Sequence, residues 1–194
     1  MVKDAPRSGD GPGAETWYHI SMAKPAKPWV KVGGTIVYPG YGVGVVQEFQ
    51  ERVLNNEEKR LYCVIAFSEA GNESKVMIPL DNIQGVGLRP LSSKKCVDEA
   101  LAFLMKGEPE ILPSWKDRFT AHGEMLSTGD LPSIARVLKA LWLLNTKKPL
   151  SFREKKMYQK ALLLLASEVG VVLSRPRTDA EVQILDRLAK SKPA

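Results

Sequence analysis

The hydrophobic period of this chain changes at Arg89-Pro90, and that change limits what the chain can fold into. On the N-terminal side, TIVYP, GVGVVQEFQ, RLYCVIAF and SKVMIP are short β-branched or aromatic stretches bounded by turn residues. Leu61, Cys63, Ile65 and Phe67 alternate, which gives a strand one buried face. On the C-terminal side, Ile134, Val137, Leu138, Leu141 and Trp142 recur at helical spacing, with one inner stripe. No single kind of element satisfies both periods. The chain is therefore expected to be an α+β multidomain protein.

Residues 29–90 are expected to form a small Tudor-like or SH3-like β-barrel. Four or five short strands in about 60 residues suit such a barrel, whereas a sandwich wants about seven. The barrel is semi-open and leaves an edge strand for pairing with another protein's sheet. Gly40, Gly42 and Gly44 predict a tight turn followed by a kinked strand, and Asn55-Asn56 predicts a hairpin. Residues 1–28, rich in Gly, Pro, Ala and charge, read as a disordered tail with Met22 as a candidate natural start.

Residues 91–194 are expected to form a compact bundle of four or five helices. Ser92 or Ser93 opens a helix through Lys106, and Gly107 ends it. Ser114 opens a second, running to about Ser127, with Asp117 completing a capping box. Asp130 and Pro132 start the third. Ser151 with Glu154, and Thr178 with Glu181, predict capping boxes for the last two.

Charge is divided unevenly between these segments. The formal total is +6. Residues 1–21 carry −1, residues 22–90 carry +1 with eight Lys and Arg against seven Asp and Glu, and residues 91–194 carry +6 with eighteen against twelve. Such an asymmetry suits a polyanion on the helical half and a different partner on the barrel.

The sequence offers no chemistry of its own. His19 lies in the tail and His122 stands alone on a helix; HExxH, GxSxG and Walker patterns are absent. Glu57-Glu58 falls in a hairpin loop. Cys63 and Cys96 match no metal spacing and read as buried, reduced thiols of a cytosolic protein. No apolar run approaches the roughly 18 residues of a membrane span. The expectation is a binding protein that is not an enzyme, a monomer with no cofactor, metal or small-molecule substrate.

Trp115 carries the functional reading. A tryptophan at a helix start can plug a seam between domains, and Trp142, among Leu138, Leu141 and Leu144, is expected to pack in that way. Trp115 instead follows Pro113-Ser114 and precedes Lys116, Asp117 and Arg118, so it is expected to be displayed. A helix N-terminus favours phosphate, and Lys116 and Arg118 could neutralise phosphates on either side of a groove. An indole between them could wedge into a base step at a cost of a few kcal/mol. Stacking on a base returns roughly 1–3 kcal/mol. A junction where the strands are already parting is therefore preferred. In SFREKKMYQKA, Arg153, Lys155, Lys156 and Lys160, after Lys147-Lys148, offer either a second DNA patch or a solvated helix face.

In order and without large gaps, KVGGTIVYPGYGVGVVQEF, a strand ending VMIP, SW-x-x-R, LSTGD and LSFREKKM resemble the CarD/CdnL family of bacterial transcription regulators. The resemblance spans about residues 29–190. VYPGYGVG alone is shared with the barrel of the transcription-repair coupling factor; the Trp motif and LSxxEK+M separate the two.

The resemblance implies a barrel that docks on the β subunit of RNA polymerase through strand-edge contacts. It also implies a helical domain on promoter DNA at the upstream edge of the transcription bubble. There its Trp wedges into the minor groove and stabilises the open complex. Trp115 falls on the wedge position, Lys155 on a DNA-backbone position and Arg118 on a basic position shared by relatives. Arg52 matches an arginine used against polymerase; Met77 stands where some members have a second, with Lys75 nearby. Asp117 and Thr120 replace residues that are basic in some relatives. The implied location is cytoplasmic, on the nucleoid through polymerase. The alternative is a paralogous scaffold whose barrel binds another regulatory protein, with little or no DNA contact; Met77 is its sequence support.

Overall fold

The computed structural model describes residues 29–53, 59–69 and 72–191. Its first half is one antiparallel sheet: β1 (Thr35–Tyr38), β2 (Gly42–Val53), β3 (Lys59–Glu69), β4 (Asn72–Pro79) and β5 (Arg89–Pro90), in the order β4-β3-β2-β1-β5. Strands β4 and β5 are the edges and do not pair with each other, so the sheet is open, as expected of a semi-open barrel. One face carries the alternating residues Ile36, Val46, Cys63, Ile65, Phe67 and Ile78, which pack together with Ile83 and Leu88 into a small core. A register shift between Val46 and Glu48 marks a bulge in β2. Gly44 lies where β2 crosses closest to β3. A Cβ there would come within 2.6 Å of Ile65 and Phe67, so only glycine lets the strand close over them. The predicted hairpin at Asn55-Asn56 and the tail 1–28 with His19 fall outside the described residues.

The second half is helical: α1 (Lys94–Lys106), α2 (Trp115–Thr128), α3 (Leu131–Lys147), α4 (Phe152–Val172) and α5 (Arg177–Ala189). Helix α3 is the axis, with Leu131, Ile134, Val137, Leu138 and Leu141 almost fully enclosed. Trp142 is half-buried against this core, as its leucine neighbours predicted. Ser93, Ser114, Asp130 and Ser151 cap their helices. The reciprocal bond of a capping box forms at Ser151–Glu154. At Ser114 only the first half forms, accepting from the Asp117 N–H at 3.4 Å, because an aspartate is one methylene shorter than a glutamate. The third predicted box is a correction: α5 starts at Arg177 behind Pro176, whose fixed φ sets the helix entrance without a side-chain cap.

Among the described residues one ion pair joins the two halves. Arg89 on β5 donates from both terminal nitrogens to Glu168 on α4, at 2.7 Å each, and also to the Gly129 carbonyl. Glu168, 1% exposed, accepts from the Ser92 N–H as well. Gly129 (φ 70) ends α2 with its Cα against Pro39; a Cβ there would meet that ring at 2.9–3.0 Å. Burial pushes the Cys63 thiol up to about 11, which keeps it protonated and inert. Cys96 is half-buried where full burial was expected, and both thiols are free. Among the described residues no single helix is long and apolar enough to cross a membrane.

Candidate nucleic-acid and partner interfaces

Helix α2 lays His122 and Leu126 on the bundle, each 5% exposed. One turn earlier on the same stripe Phe119 is half-buried, and one turn before that Trp115 is 61% exposed. The inner stripe thus runs out of the bundle at its N-terminal turn. Trp115 occupies the end of an apolar stripe that has lost its floor, which is why a large ring is left in water.

The turn beneath it is pinned. Arg118 donates to the carbonyls of Leu112 and Pro113 at 2.7 and 2.8 Å, and its guanidinium lies 3.6 Å from Glu154 on α4. Glu154 in turn accepts from the N–H and hydroxyl of Ser151 at 2.9 and 2.7 Å. The hydroxyl of Ser151, opposed by burial and aided by its N–H and by Arg118, holds the Glu154 carboxyl below its ordinary value. One carboxylate therefore caps α4 and anchors α2, which ties the first turns of the two helices together.

Of the cations expected to meet DNA, Arg118 is the least available: its side chain is 14% exposed and bonded within the protein. Lys116, Lys155 and Lys156 are exposed beside Trp115's turn and on α4's first turns. Asp117 and Thr120, the departures noted above, are exposed there too.

The first turn of α4 carries a residue that sequence reasoning missed. Phe152 is the first residue of α4, as Trp115 is of α2, and it is 72% exposed. Lys156 Nζ lies 4.7 Å from its ring centre. The signal was in the sequence: a capping serine followed at once by a ring occurs twice, as Ser114-Trp115 and Ser151-Phe152.

On the sheet, the register gathers the three partner-facing candidates. Arg52 pairs with Arg60, Met77 with Val64 and Lys75 with Ala66, so all three project from the face opposite the core. Arg52 and Lys75 are exposed and Met77 is half-buried. Met77 and Lys75 lie on the edge strand β4, while Arg52 sits roughly 13 Å along from the Met77 row, at about 3.3 Å per residue. Arg60, directly opposite Arg52, adds a guanidinium that sequence reasoning passed over. Its contact with Asp81 at 4.0 Å is exposed and weak. Among the described residues no group of three or more His, Cys, Asp or Glu is placed to hold a metal.

Two family models match the chain: the CarD-like/TRCF RID domain over residues 30–92 and the CarD C-terminal domain over residues 99–186. The chain is also 31% identical over 142 residues to YdeB of Bacillus subtilis (strain 168), named as a candidate transcription factor, across 73% of this chain and 91% of that relative. The chain belongs to the CarD-like family. CarD-like proteins are transcription regulators that work with RNA polymerase, and the two matched models meet near the Arg89 weld.

Proposed function

We propose that this CarD-like protein holds RNA polymerase with its sheet and promoter DNA with the common entrance of α2 and α4, and so stabilises the open promoter complex. The outer face around Arg52, Arg60, Lys75 and Met77, with edge strand β4, docks on the polymerase β subunit. Trp115 enters the minor groove at the upstream edge of the bubble. Lys116, Lys155 and Lys156 meet flanking phosphates, and each neutralised phosphate releases counterions.

The observation that carries this reading is the 61% exposure of Trp115 on a turn held by the Arg118–Glu154 contact. An exposed ring alone would flicker among rotamers. A ring on an anchored helix start has less freedom left to lose on insertion. Intact duplex charges a few kcal/mol to unstack a step, about what stacking returns, so the ring selects a step already opening. Phe152 supplies a second ring on the same surface.

The test is the lifetime of open complexes after a competitor challenge. Trp115→Ala shortens it by about fivefold or more, the equivalent of roughly 1 kcal/mol of stacking. The same variant still binds an isolated polymerase β fragment, whereas Arg52→Glu loses that binding. An unchanged lifetime sinks the wedge. Equal binding of both variants to the fragment sinks the docking face and favours the scaffold with another regulatory partner.

A further inference from the structure

Between the two halves runs an open groove of about 970 Å³, with the β1–β2 turn on one wall and α2 and α4 on the other. Its sheet wall carries Tyr41, stacked on Tyr38 with ring centres 4.8 Å apart and planes 2° from parallel. Tyr38 covers one face of that ring and Phe67 lies tilted against it with centres 5.5 Å apart, yet Tyr41 remains 57% exposed. The helical wall carries Arg153, Lys156 and Lys160, spaced three and four apart on one side of α4. Lys160 reaches across the gap: its Nζ lies 3.5 Å from where a Cβ on Gly40 would stand.

The charge in this groove is unbalanced. No carboxylate lines it. Among the described residues none of the three cations makes an ion pair, although Arg118, Arg89 and four others do. Three cations on one wall, of which Lys156 also leans on the Phe152 ring, and a ring with exposed surface suit a ligand that alternates phosphates with planar bases. Base exposure decides which one. A duplex buries its base faces, while a single strand offers every base to a ring and its backbone to the cations.

We propose that this groove takes a length of single-stranded DNA, with phosphates on Arg153, Lys156 and Lys160 and a base on Tyr41. The inference deepens the reading above and rests on it for the strand's origin. Lys156 belongs to both surfaces, so a strand parted at Trp115 reaches the groove by following α4.

Fluorescence anisotropy of the full chain with a labelled oligothymidylate of roughly a dozen nucleotides tests it. The expected salt slope is roughly 2, from three cations at about 0.7 each on single strands. Tyr41→Ala weakens binding by about fivefold or more, while Tyr41→Phe binds as the parent does. Lys160→Ala lowers the slope by about 0.7. Trp115→Ala keeps most of the binding.

Four outcomes overturn the proposal. These are no oligothymidylate binding at low salt, full binding by both Tyr41→Ala and Lys160→Ala, duplex binding with the same dependence on Tyr41, and displacement by thymidine monophosphate at the oligomer's own concentration. The last would mark a nucleotide pocket. Because the assay contains no polymerase, its failure leaves the wedge untouched, and an unchanged open-complex lifetime in Trp115→Ala leaves the strand groove standing.

Discussion

Among the described residues two arginine–glutamate pairs tie elements together, and they differ in how completely they are made. At the joint between the halves, Arg89 and Glu168 meet through two parallel bonds of 2.7 Å, and the Gly129 carbonyl and Ser92 N–H take up remaining capacity. At the common entrance of α2 and α4, Arg118 and Glu154 stand 3.6 Å apart, and Arg118 Nε is buried without a partner among the described residues. The first pair is bidentate around an almost fully buried carboxylate and ties sheet to bundle. The second is a longer contact backed by two loop carbonyls, and it pins the turn that carries Trp115.

The largest effect is expected where that contrast is sharpest. Glu168→Ala leaves a half-buried Arg89 without its carboxylate and the Ser92 N–H without its acceptor, with only the Gly129 and Pro90 carbonyls and the Ser92 hydroxyl left to the guanidinium, which costs about 3 kcal/mol. Denaturant unfolding measures the loss, and a midpoint equal to that of the parent would show that the weld carries nothing. Arg118→Met comes second, at about 1–2 kcal/mol, because the exposed Pro113 carbonyl recovers a bond from water. Its effect on open-complex lifetime should exceed its effect on stability, since the turn under Trp115 is what it releases. If lifetime and stability fall in proportion, the anchor is structural only.

The joint was the less legible of the two in the sequence. Arg89 and Glu168 stand 79 residues apart, and no periodicity pairs residues across a domain boundary. What was legible followed from local rules. The change of period at Arg89-Pro90 marked the two halves, and four polar caps marked helix starts within a residue or two. Thr178 misled because its pattern matched a box, while Pro176 fixed the start earlier. The exposure of Trp115 was readable from its polar neighbours, but Arg118 belonged to the same polar run and turned inward. Sequence shows which side chains are charged. Only the packing of α2 on α4 shows that Glu154 was waiting for one of them. The open face of the sheet was foreseen as an edge, yet Arg60 emerged only once the register was fixed.

Acid should separate the two pairs in a smaller way. His122, buried behind Arg118, has its pKa lowered first by burial and then by that cation. Its unfolded form takes a proton below about 6.5 while the folded form does not, so stability falls as pH drops through that value. Glu154 has a depressed carboxyl, so its contribution is present above the ordinary value of 4.5 and is lost as pH falls further. The entrance thus weakens in two steps, histidine first. In His122→Asn the fall in the unfolding midpoint between about pH 7 and 5.5 should disappear even if the whole curve lies lower. A slope that persists would place the first proton elsewhere.

The smallest effect tests whether the entrance is electrostatically simple. Lys155 is exposed and has no ion-pair partner among the described residues, so removing it disturbs neither pair. If it neutralises one duplex phosphate, Lys155→Ala lowers the salt slope of promoter-complex formation by about 0.9 and leaves the unfolding midpoint unchanged. Arg118→Met should change that slope very little, because its charge is already spent on Glu154 and two carbonyls. Equal slopes lost in both variants would mean that Arg118 swings outward when DNA binds. The entrance pair would then be a latch, and its imperfect geometry in the free protein would be the reason it opens.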